Sequence, residues 1–336
     1  MAMIAPLLAV LALAPVQPAV QTEPVAYDAD DPAIWIHPKQ PSKSLVLGTD
    51  KKNEKGGVSV FDLKGKTVQR IEGVDRPNNI DVEYGFNLDG KKVDIAVATE
   101  RGQKRLRVWT IDAESGKLAD ATGNTAVFAD RKDEMAAPMG IGLYACKKDG
   151  QIYALVSSKA GPEQGYLHLY RLAGRSGKID AVFVRALGKF SGKGDIEAIV
   201  VDDKNDVAYY SDEGAGIRKV GVLPDGKDEE LALFGTEGYQ GDREGLALWR
   251  TETGMPYLLS IDQIKEASVI RVYEISGSPA LVGSIEIASD STDGLEACFT
   301  SLGEAFPEGV VVAMNSKGKN FHFYRPSDLI KRLMGQ

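Results

Sequence analysis

Asp28-Ala29-Asp30-Asp31-Pro32-Ala33-Ile34-Trp35 delivers three carboxylates straight into an apolar, strand-forming run. Acids packed this closely repel one another, and a hard cation with several oxygen ligands, such as calcium, relieves the repulsion best. Proline donates no ladder hydrogen bond, so Pro32 is expected at the first residue of a strand, with the acids on the loop before it. Comparable polar clusters follow at Asn79 and Asp81, Asp195 and Glu197, Asp242 and Glu244, and at Asp290, Asp293 and Glu296. Bases form a second set at Lys51, Lys52, Arg101 and Lys159. An acidic set facing a basic one suits a site that holds divalent cations on one side and a phosphorylated or sulfated ligand across both.

Such distant residues need a scaffold that gathers them, and the chain repeats one phrase: apolar, any, apolar, bulky, any, apolar. It reads Val58-Ser59-Val60-Phe61-Asp62-Leu63, then Leu106-Arg107-Val108-Trp109-Thr110-Ile111, then Leu167-His168-Leu169-Tyr170-Arg171-Leu172. Weaker copies carry Val220, Tyr273 and Tyr324 in the bulky place, and the six bulky positions lie 48, 61, 50, 53 and 51 residues apart. A period of about 50 residues marks a propeller blade. Two strand-like runs precede each copy: 33–36 and 44–48, 80–84 and 93–98, 141–145 and 152–157, 197–201 and 207–210, 245–249 and 257–261, 295–300 and 310–313. Segments after the glycine turns, such as 67–71 and 181–187, supply outer strands. The expectation is an all-β, six-bladed β-propeller with four-stranded antiparallel blades. Residues 22–26 are expected to close the ring near the C-terminus, and residues 328–333 to form a short helix. In an antiparallel blade the start of the innermost strand and the end of the second share one edge, so acids and bases converge on one mouth of the channel.

Composition narrows the partners. A net charge of -8 over 336 residues argues against nonspecific binding to nucleic acid or anionic membranes. The apolar run 4–13 is too short to cross a bilayer and leads into Ala12-Leu13-Ala14, an A-x-A cleavage pattern. Residues 1–19 therefore read as an export signal and residues 20–336 as a single domain of a secreted or periplasmic monomer. Cys146 and Cys298 lie in apolar runs and are expected to be buried free thiols. Three scattered histidines, His37, His168 and His322, give little material for a zinc site or a phosphohistidine. There is no G-x-S-x-G elbow and no P-loop.

Over residues 22–320 the sequence resembles the β-propeller phytases, calcium-dependent phosphatases acting on myo-inositol hexakisphosphate (phytate). The resemblance is carried by Asp30-Asp31-Pro32-Ala33-Ile34-Trp35, Lys51-Lys52, Asn78-Asn79-Ile80-Asp81, Asp242-Arg243-Glu244-Gly245-Leu246 and Thr292-Asp293-Gly294. It implies that Asp30, Glu197, Glu244 and the acidic loop with Asp290 and Asp293 hold several calcium ions at the cleavage site, with Asp31 and Asp242 close by. It also implies that Asp81 and Glu213 bind calcium in or near the channel, that Lys51, Arg101 and Lys159 bind the scissile phosphate, and that Lys52 and Asn320 serve a neighbouring phosphate subsite. The implied reaction is hydrolysis of a phosphomonoester by a metal-activated water. Met139 stands where the family often has a phosphate-contacting tyrosine, and the loop before Thr292 looks shortened. The alternative expectation is a secreted, calcium-stabilised propeller that binds phosphorylated or sulfated ligands without turning them over.

Overall fold

Branched and aromatic residues in short runs between turns pack well on a pleated surface, and here those runs become strands. In the computed structural model, which describes residues 14–250 and 254–335, the strands form six four-stranded antiparallel sheets, the expected propeller. Blade one comprises Ala29–Trp35, Leu45–Asp50, Gly56–Asp62 and Thr67–Val74. Blade two comprises Pro77–Leu88, Lys91–Glu100, Arg105–Ile111 and Leu118–Asp120. Blade three runs through Pro138–Ala145, Ile152–Ser158, Gln164–Arg175 and Lys178–Lys189. Blade four has Ile199–Asp202, Val207–Asp212, Gly216–Gly221 and Glu230–Phe234. Blade five has Arg243–Arg250, Pro256–Asp262, Val269–Glu274 and Ala280–Glu286. Blade six takes Leu295–Cys298, Val310–Asn315 and Asn320–Tyr324 from the end of the chain and Val20–Gln21 from its beginning.

The closing strand falls just ahead of the expected 22–26. Val20 pairs with Phe323 and Gln21 with His322, and the Thr22 and Val25 N–H groups then donate to Phe321 and Lys319. Pro24 has no N–H to give, so a continuous ladder cannot run through 22–26. Val16 joins the fold as well, bridging in parallel to Ile287 beyond the outer strand of blade five. Packed residues thus reach into the stretch read as an export signal, whose apolar run 4–13 lies outside the described residues. The terminal helix spans Pro326–Met334.

Apolar layers lie between adjacent blades, so the second and third strands are buried on both faces. Trp35, Leu47, Val60, Ile80, Ala96 and Trp109 share one layer, and Phe61, Met314, Phe321 and Phe323 another across the seam between blades six and one. The bulky repeat positions Phe61 and Trp109 are fully buried, which stabilises the fold by about 1.5–3 kcal/mol per side chain.

Pro32 does not begin its strand, and Asp30 and Asp31 are not on a loop. The strand starts at Ala29, which faces Asp50, while Pro32 faces Gly48, so one extra residue is accommodated between them as a β-bulge. Ala29–Trp35 is an edge strand of its sheet, with a neighbour on one side only, which is why a proline is tolerated inside it. The same irregularity recurs between Pro77 and Ile80, Pro138 and Ile141, and Arg243 and Leu246.

Candidate active site

Six equivalent hydrogen bonds build the mouth. The residue after each second strand donates its N–H to a carbonyl ahead of the innermost strand: Lys51 to Asp28 at 2.7 Å, Arg101 to Arg76 at 3.1 Å, Lys159 to Ala137 at 2.8 Å, Glu213 to Asp195 at 3.2 Å, Gln263 to Asp242 at 3.0 Å and Ser316 to Asp290 at 2.9 Å. The preceding residue is a buried loop cap. Asp50 accepts the Ala26, Tyr27 and Asp28 N–H groups, Glu100 that of Asp75, Asp212 that of Ser191, and Asp262 those of Gln240 and Gly241. These four acids are scaffold, whereas the residue after each is available to the mouth.

Hydroxyls one step earlier tie neighbouring blades together. Thr99 Oγ1 accepts the Asn79 N–H and donates to the Met139 carbonyl at 2.6 Å. Ser157 Oγ accepts the Gly140 N–H and donates to the Ile196 carbonyl at 2.5 Å, while Ser211 Oγ donates to the Glu244 carbonyl at 3.1 Å. The backbone around Glu197 and Glu244 is therefore set by the blade before each.

Asp30, Asp31, Asn79, Glu197, Glu244 and Asp293 enclose a narrow space at this mouth. Lys51 Nζ lies 2.5 Å from Asp30 Oδ1 and 4.0 Å from Asp293 Oδ2. Asn78 bridges acid and base, donating to Glu197 Oε2 at 3.1 Å and accepting from Arg101 Nη1 at 3.2 Å. Lys159 is ion-paired with Asp195, whose N–H donates to Glu213 Oε2 at 2.9 Å. Bases and acids thus interlock at the blade junctions. Burial, reinforced by Glu197 and Asp293, holds Glu244 well above the usual carboxylate range. Asp293 and Glu197 are likewise raised by burial and then by the charge of Asp30. Burial works against the charge of Lys51, yet Asp30, Glu197 and Asp293 together keep its ammonium more firmly protonated than usual. Burial pushes Glu213 up to about 7.

The other expected residues are distributed differently. Asp31 accepts the Ile80 N–H at 2.9 Å and also lines a cavity of about 280 Å³ along the axis, with Asp81, Glu83, Asp203 and Glu296. Burial pushes Asp81 to about 6, Asp203 to about 7, and Glu83 and Glu296 to about 8. Glu83, unlike Asp81, carried no signal of its own, although a strand places residues two apart on one face. Asp242 is exposed, Asp290 Oδ1 accepts the Glu266 N–H at 2.6 Å, and Lys52 lies 5.9 Å from the Tyr27 ring centroid. Asn320 is buried in the ring closure, accepting from Asn315 and donating to the Thr22 carbonyl. Met139 is fully buried. His168 and His322 are buried side chains whose Nδ1 atoms contact the hydroxyls of Tyr170 and Tyr324, and burial lowers both to about 4. Both cysteines are buried and free.

The donor atoms at the mouth are carboxylate and amide oxygens, and Asp30 Oδ2 is buried without a hydrogen-bond partner. That set suits a hard cation such as calcium. Among the described residues no three His, Cys, Asp or Glu side chains are grouped closely enough to ligate one ion, and Asp30 is paired with the Lys51 ammonium.

Fold and mouth together define a six-bladed β-propeller with a charged axial site. The chain belongs to the Phytase family, whose model matches residues 8–322. The 3-phytase of Bacillus subtilis (strain 168) is 32% identical over 312 residues, spanning 88% of this chain and 78% of that protein. Solved structures share the fold alone. A protein from Lactobacillus plantarum aligns with a TM-score of 0.51 at 14% identity, covering 92% of this chain and 80% of the other. A protein of unknown function from Bacteroides thetaiotaomicron VPI-5482 gives 0.54 at 12% identity, covering 92% and 74%.

Proposed function

We propose that this chain hydrolyses phytate, releasing inorganic phosphate, with calcium as the cation of its acidic side, and that it acts as a monomer after export. Membership of the Phytase family and the 3-phytase relative support the substrate. The observation that carries the reading is the junction where Lys51 meets Asp30 and Asp293 beside Glu197.

Asp30, Glu197, Glu244 and Asp293 are the residues that would hold calcium, with Asp31, Asp81, Glu213, Asp242 and Asp290 as further carboxylates around the mouth and channel. When bound, calcium supplies positive charge against phosphate oxygens and acidifies water. The chain's own bases do the rest. Lys51, Arg101 and Lys159 bind the oxygens of the phosphoryl group and stabilise the charge that spreads over them as the ester bond breaks. Asn78 keeps Arg101 and Glu197 in fixed relation, so phosphate-binding and cation-binding groups face one reacting centre. Substrate phosphate competes with Asp30 and Asp195 for the ammonium groups of Lys51 and Lys159.

The test is release of phosphate from phytate before chelation, after it, and with calcium restored. Release that disappears and returns is expected. No release at any calcium level sinks the phytase reading, and release untouched by chelation sinks the role of calcium.

A further inference from the structure

The two arginines near the mouth differ from its paired lysines. Lys51 and Lys159 are ion-paired, but among the described residues neither Arg76 nor Arg101 pairs with a carboxylate. Each is held by an amide instead, Arg76 Nη1 by Asn53 Oδ1 at 3.1 Å and Arg101 Nη1 by Asn78 Oδ1 at 3.2 Å. The backbone fixes them together: the Arg101 N–H donates to the Arg76 carbonyl at 3.1 Å, and the Arg76 N–H to the Lys52 carbonyl at 3.0 Å. Asp75, adjacent in the chain, is occupied elsewhere, accepting from the Glu54 N–H at 2.7 Å and from Gln103 at 3.0 Å. Arg76 Nε is buried with no partner. Burial and then the charge of Arg76 lower the pKa of Arg101, against the opposing charges of Glu197, Asp30 and Asp195. A multivalent anion relieves that repulsion, and a phosphate matches the guanidinium fork in shape and charge.

We infer that Arg76 is a specificity-determining residue which extends the anion site from Arg101 to the junction of blades one and two, where it takes a second phosphate of the substrate. The inference rests on the proposed phytate hydrolysis for the identity of the ligand. It predicts a preference for polyphosphorylated rings over simple monoesters, because a monoester has no second phosphate to place there.

The experiment compares Arg76→Ala and Arg76→Lys with the parent chain, in calcium, on phytate and on p-nitrophenyl phosphate. Arg76→Ala is expected to lower the ratio of kcat/KM on phytate to that on the monoester about tenfold, as for one charge-assisted hydrogen bond, mainly through KM. Arg76→Lys should restore part of the ratio. Calorimetric binding of myo-inositol hexasulfate, which needs no turnover, should weaken about tenfold in Arg76→Ala. An unchanged ratio with unchanged hexasulfate affinity overturns the inference, whether or not both activities fall together. If the parent binds hexasulfate through Arg76 but releases no phosphate, the phytase reading fails and the subsite stands.

Discussion

The ammonium of Lys51 lies 2.5 Å from Oδ1 of Asp30, although Lys51 follows the second strand of blade one and Asp30 sits in the bulge of the first. The pair places a base where a cation and a phosphate must both arrive. Lys51→Met is expected to lower kcat/KM on phytate by roughly 10²–10³, the loss typical of removing one transition-state donor. Because the change also frees Asp30 and Asp293, calcium affinity should rise. Activity within threefold of the parent, in a variant with unaltered circular dichroism, would remove Lys51 from the reaction.

Gly140 gives a steric test of Glu197. A Cβ at position 140 would lie 1.9 Å from the Glu197 carbonyl oxygen, a backbone atom that cannot swing aside. Gly140→Ala should therefore displace Glu197, lowering stability by about 1–3 kcal/mol and activity more than tenfold. Gly221→Ala, with nothing within 4 Å of the added carbon, should change neither, as urea titration and phosphate release would record.

The axial acids predict how stability responds to pH. Burial pushes Glu296, whose ordinary value is 4.5, to about 8, and Asp203, whose ordinary value is 3.8, to about 7. A carboxyl raised in the folded state stabilises the fold fully below its ordinary pKa and loses that contribution as pH climbs through the folded value. In chelator, the Tm of the parent should fall between about pH 4 and pH 8. Glu296→Gln should melt above the parent at the upper end and close to it at the lower. A parent Tm that rises across this range contradicts the burial of these acids.

Ring closure can be cut directly. A chain beginning at Glu23 lacks Val20–Gln21 and the Thr22 hydroxyl that accepts the Phe321 N–H, leaving Asn320–Tyr324 as an open edge. It should aggregate or melt far below the parent, whereas a chain beginning at Pro15 keeps Val16 and Val20 and should melt with it.

The six-fold repeat was legible because each blade must bury its own bulky residue at the same step, as Phe61 and Trp109 do. The bulges were not, since one extra residue leaves no mark in composition and Pro32 read as a strand start. Charge sign alone could not separate Asp212, a buried cap, from Glu213 beside it, which reaches the mouth. Arg76 escaped notice because in the sequence it stands just before Pro77, outside the second-strand ends where the bases were sought, although the fold sets its carbonyl against the Arg101 N–H. Asn320 resembles a phosphate ligand by motif, but its side-chain amide is engaged with Asn315 and Thr22.

Across the seam, the Gly294 N–H donates to the Asp30 carbonyl at 3.0 Å, bringing Asp293 of the last blade beside the first. Ribosomes must deliver almost the entire polypeptide before these two aspartates become neighbours. A nascent or C-terminally clipped chain therefore carries no half-strength version of the mouth, and competence is gained in a single late event.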